Sequence, residues 1–112
     1  MNVPSRGDLG WIQLNPQAGR EQANHRPCIV LTEQAFNRIT GLAIVAPITN
    51  KVKNYAFELP IPDGYQITGT VLTDQIKSLD YLARQMHVVD RIPDEDDFIK
   101  ELLDRVSGFF SR

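Results

Sequence analysis

Two junctions between polar and apolar sequence carry the side chains best suited to chemistry. Arg26 stands where Glu21-Gln22-Ala23-Asn24-His25 gives way to the apolar run Pro27-Cys28-Ile29-Val30-Leu31. Pro27 biases Arg26 toward an extended backbone. That would fix a guanidinium at the mouth of a rigid strand, where it can grip an anion. The plainer alternative is an ion pair with Glu21. Thr49 closes a second apolar run, Leu42-Ala43-Ile44-Val45-Ala46-Pro47-Ile48, and the basic segment Asn50-Lys51-Val52-Lys53-Asn54 follows it. Its plainer role is a turn hydroxyl that caps backbone. If the two runs are neighbouring strands, Arg26 and Thr49 meet at one rim. A guanidinium fork matches phosphate oxygens, and a hydroxyl adds a neutral donor. Together they would stabilise the extra charge of a pentavalent phosphorus.

Other chemistries lack their residues. The sequence has no glycine-rich phosphate loop of the ATPase kind, no cysteine–histidine cluster for zinc and no His-Glu-x-x-His motif. His25 and His87 are the only histidines, and nothing in the sequence brings them together. The acidic run Asp94-Glu95-Asp96-Asp97 reads as the first turn of a helix, where the helix dipole favours negative charge. Four consecutive acids cannot all face one ion, so no metal and no cofactor are expected.

The elements that must position these residues are short. Residues 7–14 read as a first strand, with Trp11 in the core. A polar loop over 15–24, opened by Asn15-Pro16, is long for a hairpin connection, and long loops are often functional. Strands follow over 27–32 and 42–48, where Pro47 points to an edge or an end. Between them, a helical turn around Ala35 and Phe36 closes at Gly41. A fourth strand is expected over 55–61, a long bent fifth over 68–79, a helical turn over 80–84 and a last strand over 85–92. Residues 94–106 make the convincing helix, since Phe98, Ile99, Leu102, Leu103 and Val106 recur at helical spacing. This is an α+β pattern, mainly β, with a small curved antiparallel sheet or barrel and a C-terminal helix packed on it.

Composition fits one domain over residues 1–112. Apolar residues make up 42% and charged residues 23% of the chain, ordinary for a globular protein. The net charge of −2 argues against a general nucleic-acid coat, but Arg20, Arg26, Lys51, Lys53 and Lys77 leave room for a local basic groove. Cys28 is the single cysteine and lies in an apolar run, so it reads as a buried, inert thiol. No run approaches the ~20 apolar residues of a membrane span, and the N-terminus lacks a signal-peptide core. A cytoplasmic protein without membrane contact is expected.

Several blocks resemble the MazF/PemK toxins. They are Arg6-Gly7-Asp8-Leu9-Gly10-Trp11, Asn15-Pro16, Gly19 through Leu31, Val45-Ala46-Pro47-Ile48-Thr49, Tyr55-Ala56-Phe57-Glu58 and Leu72 through Asp80. Order and spacing hold over nearly the whole chain. The resemblance implies an SH3-like barrel, a homodimer, and a sequence-specific endoribonuclease that cuts single-stranded mRNA and is neutralised by a cognate antitoxin. It places the catalytic arginine on Arg26 and the catalytic threonine on Thr49. The implied products are a 2′,3′-cyclic phosphate and a 5′-hydroxyl. His25 and Glu21 are candidates for a supporting acid or base, because arginine stays protonated and makes a poor base. Candidate RNA contacts are Asn15, Arg20, Gln22, Asn50, Lys51, Lys53, Gln75 and Lys77. Asn50 stands where the family often has a second hydroxyl residue. The antitoxin is expected to fill the positive groove with a flexible acidic segment. The competing reading is a non-catalytic toxin of the same fold, like the CcdB gyrase poisons, which would not need the Arg26/Thr49 pair.

Overall fold

Apolar residues run along the first half of the chain in strand-length segments. The computed structural model, which describes residues 2–14 and 25–112, folds these and the later segments into seven antiparallel strands and two helices. In chain order they are β1 (Asp8–Gln13), β2 (His25–Val30), α1 (Gln34–Thr40), β3 (Leu42–Thr49), β4 (Glu58–Pro60), β5 (Thr70–Leu72), β6 (Lys77–Asp80), β7 (His87–Arg91) and α2 (Asp97–Gly108). The sheet runs β4-β5-β3-β2-β1-β7, and β6 also pairs with β3. Strand β3 is the hub. It pairs with β2 through Val45–Pro47, with β6 through Leu42–Val45, and with β5 through Ile48 and Thr49.

Each face of the bent sheet buries its own cluster. Leu9, Ile29, Ala46, Ile48 and Val71 on one face pack with Phe98, Ile99 and Leu102 of α2. Burying each large apolar side chain of that helix stabilises the fold by roughly 1.5–3 kcal/mol. On the other face Ile12, Cys28, Val30, Ala43 and Val45 pack with Leu79, Tyr81 and Met86. Asn37 of α1 is fully buried and fully used. Its side-chain Nδ2 donates to the carbonyls of Pro4 and Thr32, its Oδ1 accepts from the Thr32 hydroxyl, and its backbone carbonyl accepts from the Tyr81 hydroxyl. Cys28 is buried as expected, and burial pushes its thiol up to about 12. Among the described residues, no helix is long and apolar enough to cross a membrane.

Several expected elements differ. Trp11 is 39% exposed rather than in the core. The β1 pleat runs unbroken against β2, so Trp11 keeps the face of Leu9 and Ile12 takes the opposite face, inside the second cluster. Pro47 sits in the central strand, not at an edge. On the flank away from β2, β6 ends at Val45 and β5 begins at Ile48. Pro47 falls in that gap, where no ladder partner faces it. The single fifth strand is two strands, β5 and β6. Thr73 breaks it, because its N–H and its hydroxyl both donate to the Phe57 carbonyl, at 3.1 and 2.6 Å. The fourth strand is only Glu58–Pro60, because Tyr55 to Glu58 turn on a bond from the Glu58 N–H to the Tyr55 carbonyl at 3.1 Å. The last strand starts at His87, after Gln85 adopts a φ of 55° in the preceding turn. Helix α2 starts later than expected. The Asp96 carboxylate caps it by accepting from the Phe98 N–H at 2.8 Å, and only Asp97 lies in its first turn. Asp94 instead pairs with Arg6 at 2.8 Å.

Candidate active site

The β2–β3 ladder decides whether Arg26 and Thr49 meet. Its register pairs Cys28 with Pro47, Ile29 with Ala46 and Val30 with Val45. Carried two residues past its last pair, the same register would set Arg26 opposite Thr49. The pleat alternates sides, so residues two apart share a face. Arg26 and Thr49 therefore share the face of Cys28 and Pro47, at the rim of the second cluster. Arg26 is exposed, and its Nη1 donates to the His25 carbonyl at 3.0 Å. Pleating sends the His25 side chain to the opposite face. His25 pairs with Gln13 on one side of β1, and His87 pairs with Trp11 on the other. Strand β1 thus separates the two histidines.

Thr49 is held from three sides. Its Oγ1 accepts from the Lys51 N–H at 3.1 Å. The capping role expected of it is real, and it orients the hydroxyl. Among the described residues no acceptor takes the hydroxyl proton, which leaves Thr49 able to donate. Across the ladder lies Thr70 of β5. The residue before Thr70 is Gly69, with a φ of +124°, and a Cβ there would stand 2.5 Å from the Thr49 carbonyl oxygen. Only glycine lets β5 approach Thr49 this closely. Asn50 ties down the same corner, because its Oδ1 accepts from the Thr68 hydroxyl at 3.3 Å.

Beside Thr49 opens a cleft of about 630 Å³, within the ~300–1,000 Å³ usual for ligand sites. Thr49, Lys51, Lys53, Tyr55, Glu58 and Gln75 contribute to its walls. Two cations, an orientable hydroxyl and an amide surround one carboxylate. The Lys53 N–H donates to that carboxylate, Glu58, at 3.2 Å. The Tyr55 hydroxyl donates to Asp74 at 2.6 Å, and this hydrogen bond raises the phenol above its ordinary range.

The structure therefore gathers Thr49, Lys51, Lys53 and Gln75 of the expected residues in one cleft, with Asn50 at its corner; Arg26 lies outside that lining, on β2 two residues past the last pair of the β2–β3 ladder. Lys77 lies apart from that lining, exposed on β6 opposite Val45. His87 lines a different cavity with Asp8, Arg38 and Arg91. Asn15, Arg20, Glu21 and Gln22 fall outside the described residues. Among the described residues no three His, Cys, Asp or Glu side chains are grouped to hold a metal ion. Tyr55, Glu58 and Gly69 were missed as site residues. Gly69 had a signal, a glycine inside an expected strand, which often marks a close backbone approach.

Fold and site together define a small SH3-like antiparallel domain with a hydroxyl and cations at the rim of its sheet. The family described as PemK-like, MazF-like toxin of type II toxin-antitoxin system matches residues 5–108. The endoribonuclease toxin MazF of Escherichia coli is 42% identical over 82 residues, 73% of each chain. The crystal structure of MazF from Deinococcus radiodurans matches with a TM-score of 0.84 and 34% identity, covering 98% of both chains. A MazE–MazF complex from the same organism matches with a TM-score of 0.84 and 29% identity, over 99% of this chain and 98% of that one. The chain belongs to the PemK/MazF toxin family.

Proposed function

We infer that this chain, an endoribonuclease toxin of the MazF/PemK type, cuts single-stranded mRNA at a specific sequence by attack of the RNA's own 2′-hydroxyl. The observation that supports this reading is a cleft walled by Thr49, Lys51 and Lys53, with Arg26 on β2 two residues past the last pair of the β2–β3 ladder. Lys51 and Lys53 hold the flanking phosphates. The 2′-oxygen attacks the adjacent phosphorus, and the bond to the 5′-oxygen of the next nucleotide breaks. The Arg26 guanidinium clamps the phosphorane oxygens, and the Thr49 hydroxyl, oriented by the Lys51 N–H, donates one more hydrogen bond. Both act mainly in the transition state. Glu21 or solvent takes the 2′-proton, and Arg26 or solvent gives a proton to the departing 5′-oxygen; His25, on the opposite face of β2, takes no part. No metal enters any step.

The toxin acts in the cytoplasm, stops translation and growth, and is silenced by its own antitoxin. The Deinococcus radiodurans relative is a MazE–MazF complex, which supports an antitoxin partner here. A flexible acidic segment of that partner suits a cleft walled by lysines, where it displaces RNA and orders as it binds. The toxin works as a homodimer. The purified protein should be given RNA in EDTA, and the new ends should be analysed chemically. The reading requires a 2′,3′-cyclic phosphate on one fragment and a 5′-hydroxyl on the other. A 5′-phosphate would refute it.

A further inference from the structure

Tyr55 is 44% exposed, although it lines the same cleft as Thr49. Its ring is nevertheless fixed. The hydroxyl donates to Asp74 Oδ2 at 2.6 Å. The ring also meets Phe57 edge to face, with centroids 5.3 Å apart and planes at 84°. Phe57 meets Phe109, just past the end of α2, in the same way, at 5.2 Å and 82°. A chain of three rings thus ties the cleft wall to the C-terminal helix. In an edge-to-face contact one ring gives its edge and the other a single face. Phe57 therefore covers at most one face of Tyr55.

A rigid aromatic face left open to water has little value for stability. Beside cations it has another use. Single-stranded nucleic acids are held by positive groups along the phosphates and by aromatic faces under the bases. Lys51 and Lys53 provide the first in this cleft, and Tyr55 provides the second. Gln75 lies on the same wall, with an amide that can both donate to and accept from a base edge. We propose that Tyr55 is the stacking platform for one nucleobase next to the scissile phosphate, with its ring angle set by Asp74 and Phe57. This rests on the endoribonuclease reading and adds the residue that holds a base in place.

The test uses a short RNA carrying the cut site, cleaved by the full chain. Base–aromatic stacking corresponds to about a 5- to 150-fold effect on binding. Tyr55→Ala should raise KM by that factor with kcat nearly unchanged. Tyr55→Phe should keep most of the affinity. Tyr55→Leu, which retains bulk without a flat ring, should behave like the alanine variant and serves if that one folds poorly. An abasic nucleotide at one position beside the cut should weaken the wild type by a similar factor and add nothing in Tyr55→Ala. An unchanged KM in folded Tyr55→Ala and Tyr55→Leu would overturn the proposal. So would abasic penalties that multiply with the substitution at every position, or a loss of antitoxin affinity alone. A wild type that cuts no RNA would instead sink the endoribonuclease reading, and this inference with it.

Discussion

Arg26 and Thr49 are argued to act where charge develops, so their loss should lower turnover more than binding. Removing one preorganised donor costs roughly 100- to 1,000-fold in rate. Arg26→Ala should be nearly inactive, and Arg26→Lys should fail as well, because an ammonium cannot reproduce the guanidinium fork. Thr49→Ala should fall within that range, while Thr49→Ser, which keeps the hydroxyl, should retain more. Single-turnover cleavage alongside RNA binding separates the two effects. Equal losses in binding and rate would make both residues mere substrate holders. Both positions were legible in the sequence, because each terminates an apolar run. That they meet was conditional on the two runs being neighbouring strands, which the β2–β3 ladder makes them. Tyr55 was read as one of the alternating residues of a strand. The turn that exposes it depends on Thr73, which holds the Phe57 carbonyl from 16 residues away.

At the scale of elements, β1 and β7 meet around a buried carboxylate. Asp8 accepts from the Ser5 N–H at 2.7 Å and lies 3.7 Å from Arg91. Burial raises its pKa above 3.8, outweighing the Ser5 bond and the Arg91 charge. The folded state therefore holds this proton more tightly than the unfolded chain does. The resulting stability is fully present below pH 3.8 and is lost as pH rises through the raised folded value. Thermal melts of the wild type and Asp8→Asn should show the wild type gaining on the variant as pH falls from neutrality through that window. A constant gap would mean that Asp8 titrates as it does in the unfolded chain. The C-terminal helix and the first three strands were readable from periodicity, but the strand count was not, because Thr73 splits the expected fifth strand into two. Trp11 and Pro47 were misjudged for one reason. Trp11 shares the face of Leu9 but stays part-exposed beside Pro27 and His87 of the neighbouring strands, and a change of partner strand shelters Pro47. Neither leaves a mark in the residues nearby.

For the whole molecule, exposed apolar surface remains near the end of α2. Phe109 is 42% and Phe110 72% exposed, and Phe110 borders a groove with Leu31, Ile44, Ile76, Leu103 and Val106. A patch of this kind marks an interaction surface, and a symmetric pair of chains is the commonest way to cover one. Sedimentation at micromolar concentration should give a species of twice the 12.7 kDa chain mass. A monomer under those conditions would remove the homodimer from the account. The apolar stripe of α2 and the family resemblance both point to this assembly.

The central claim is that the RNA supplies its own nucleophile and the protein supplies only Arg26, Thr49 and a positive cleft. The most direct measurement is cleavage of one RNA in excess EDTA, with a single 2′-hydroxyl replaced by hydrogen at the cut site. The account predicts that EDTA leaves the all-ribose RNA cut at its normal rate, and that the deoxy substitution abolishes cleavage at that position alone. Cleavage of the deoxy-substituted RNA at the normal rate, or its arrest by EDTA in the all-ribose RNA, would contradict it.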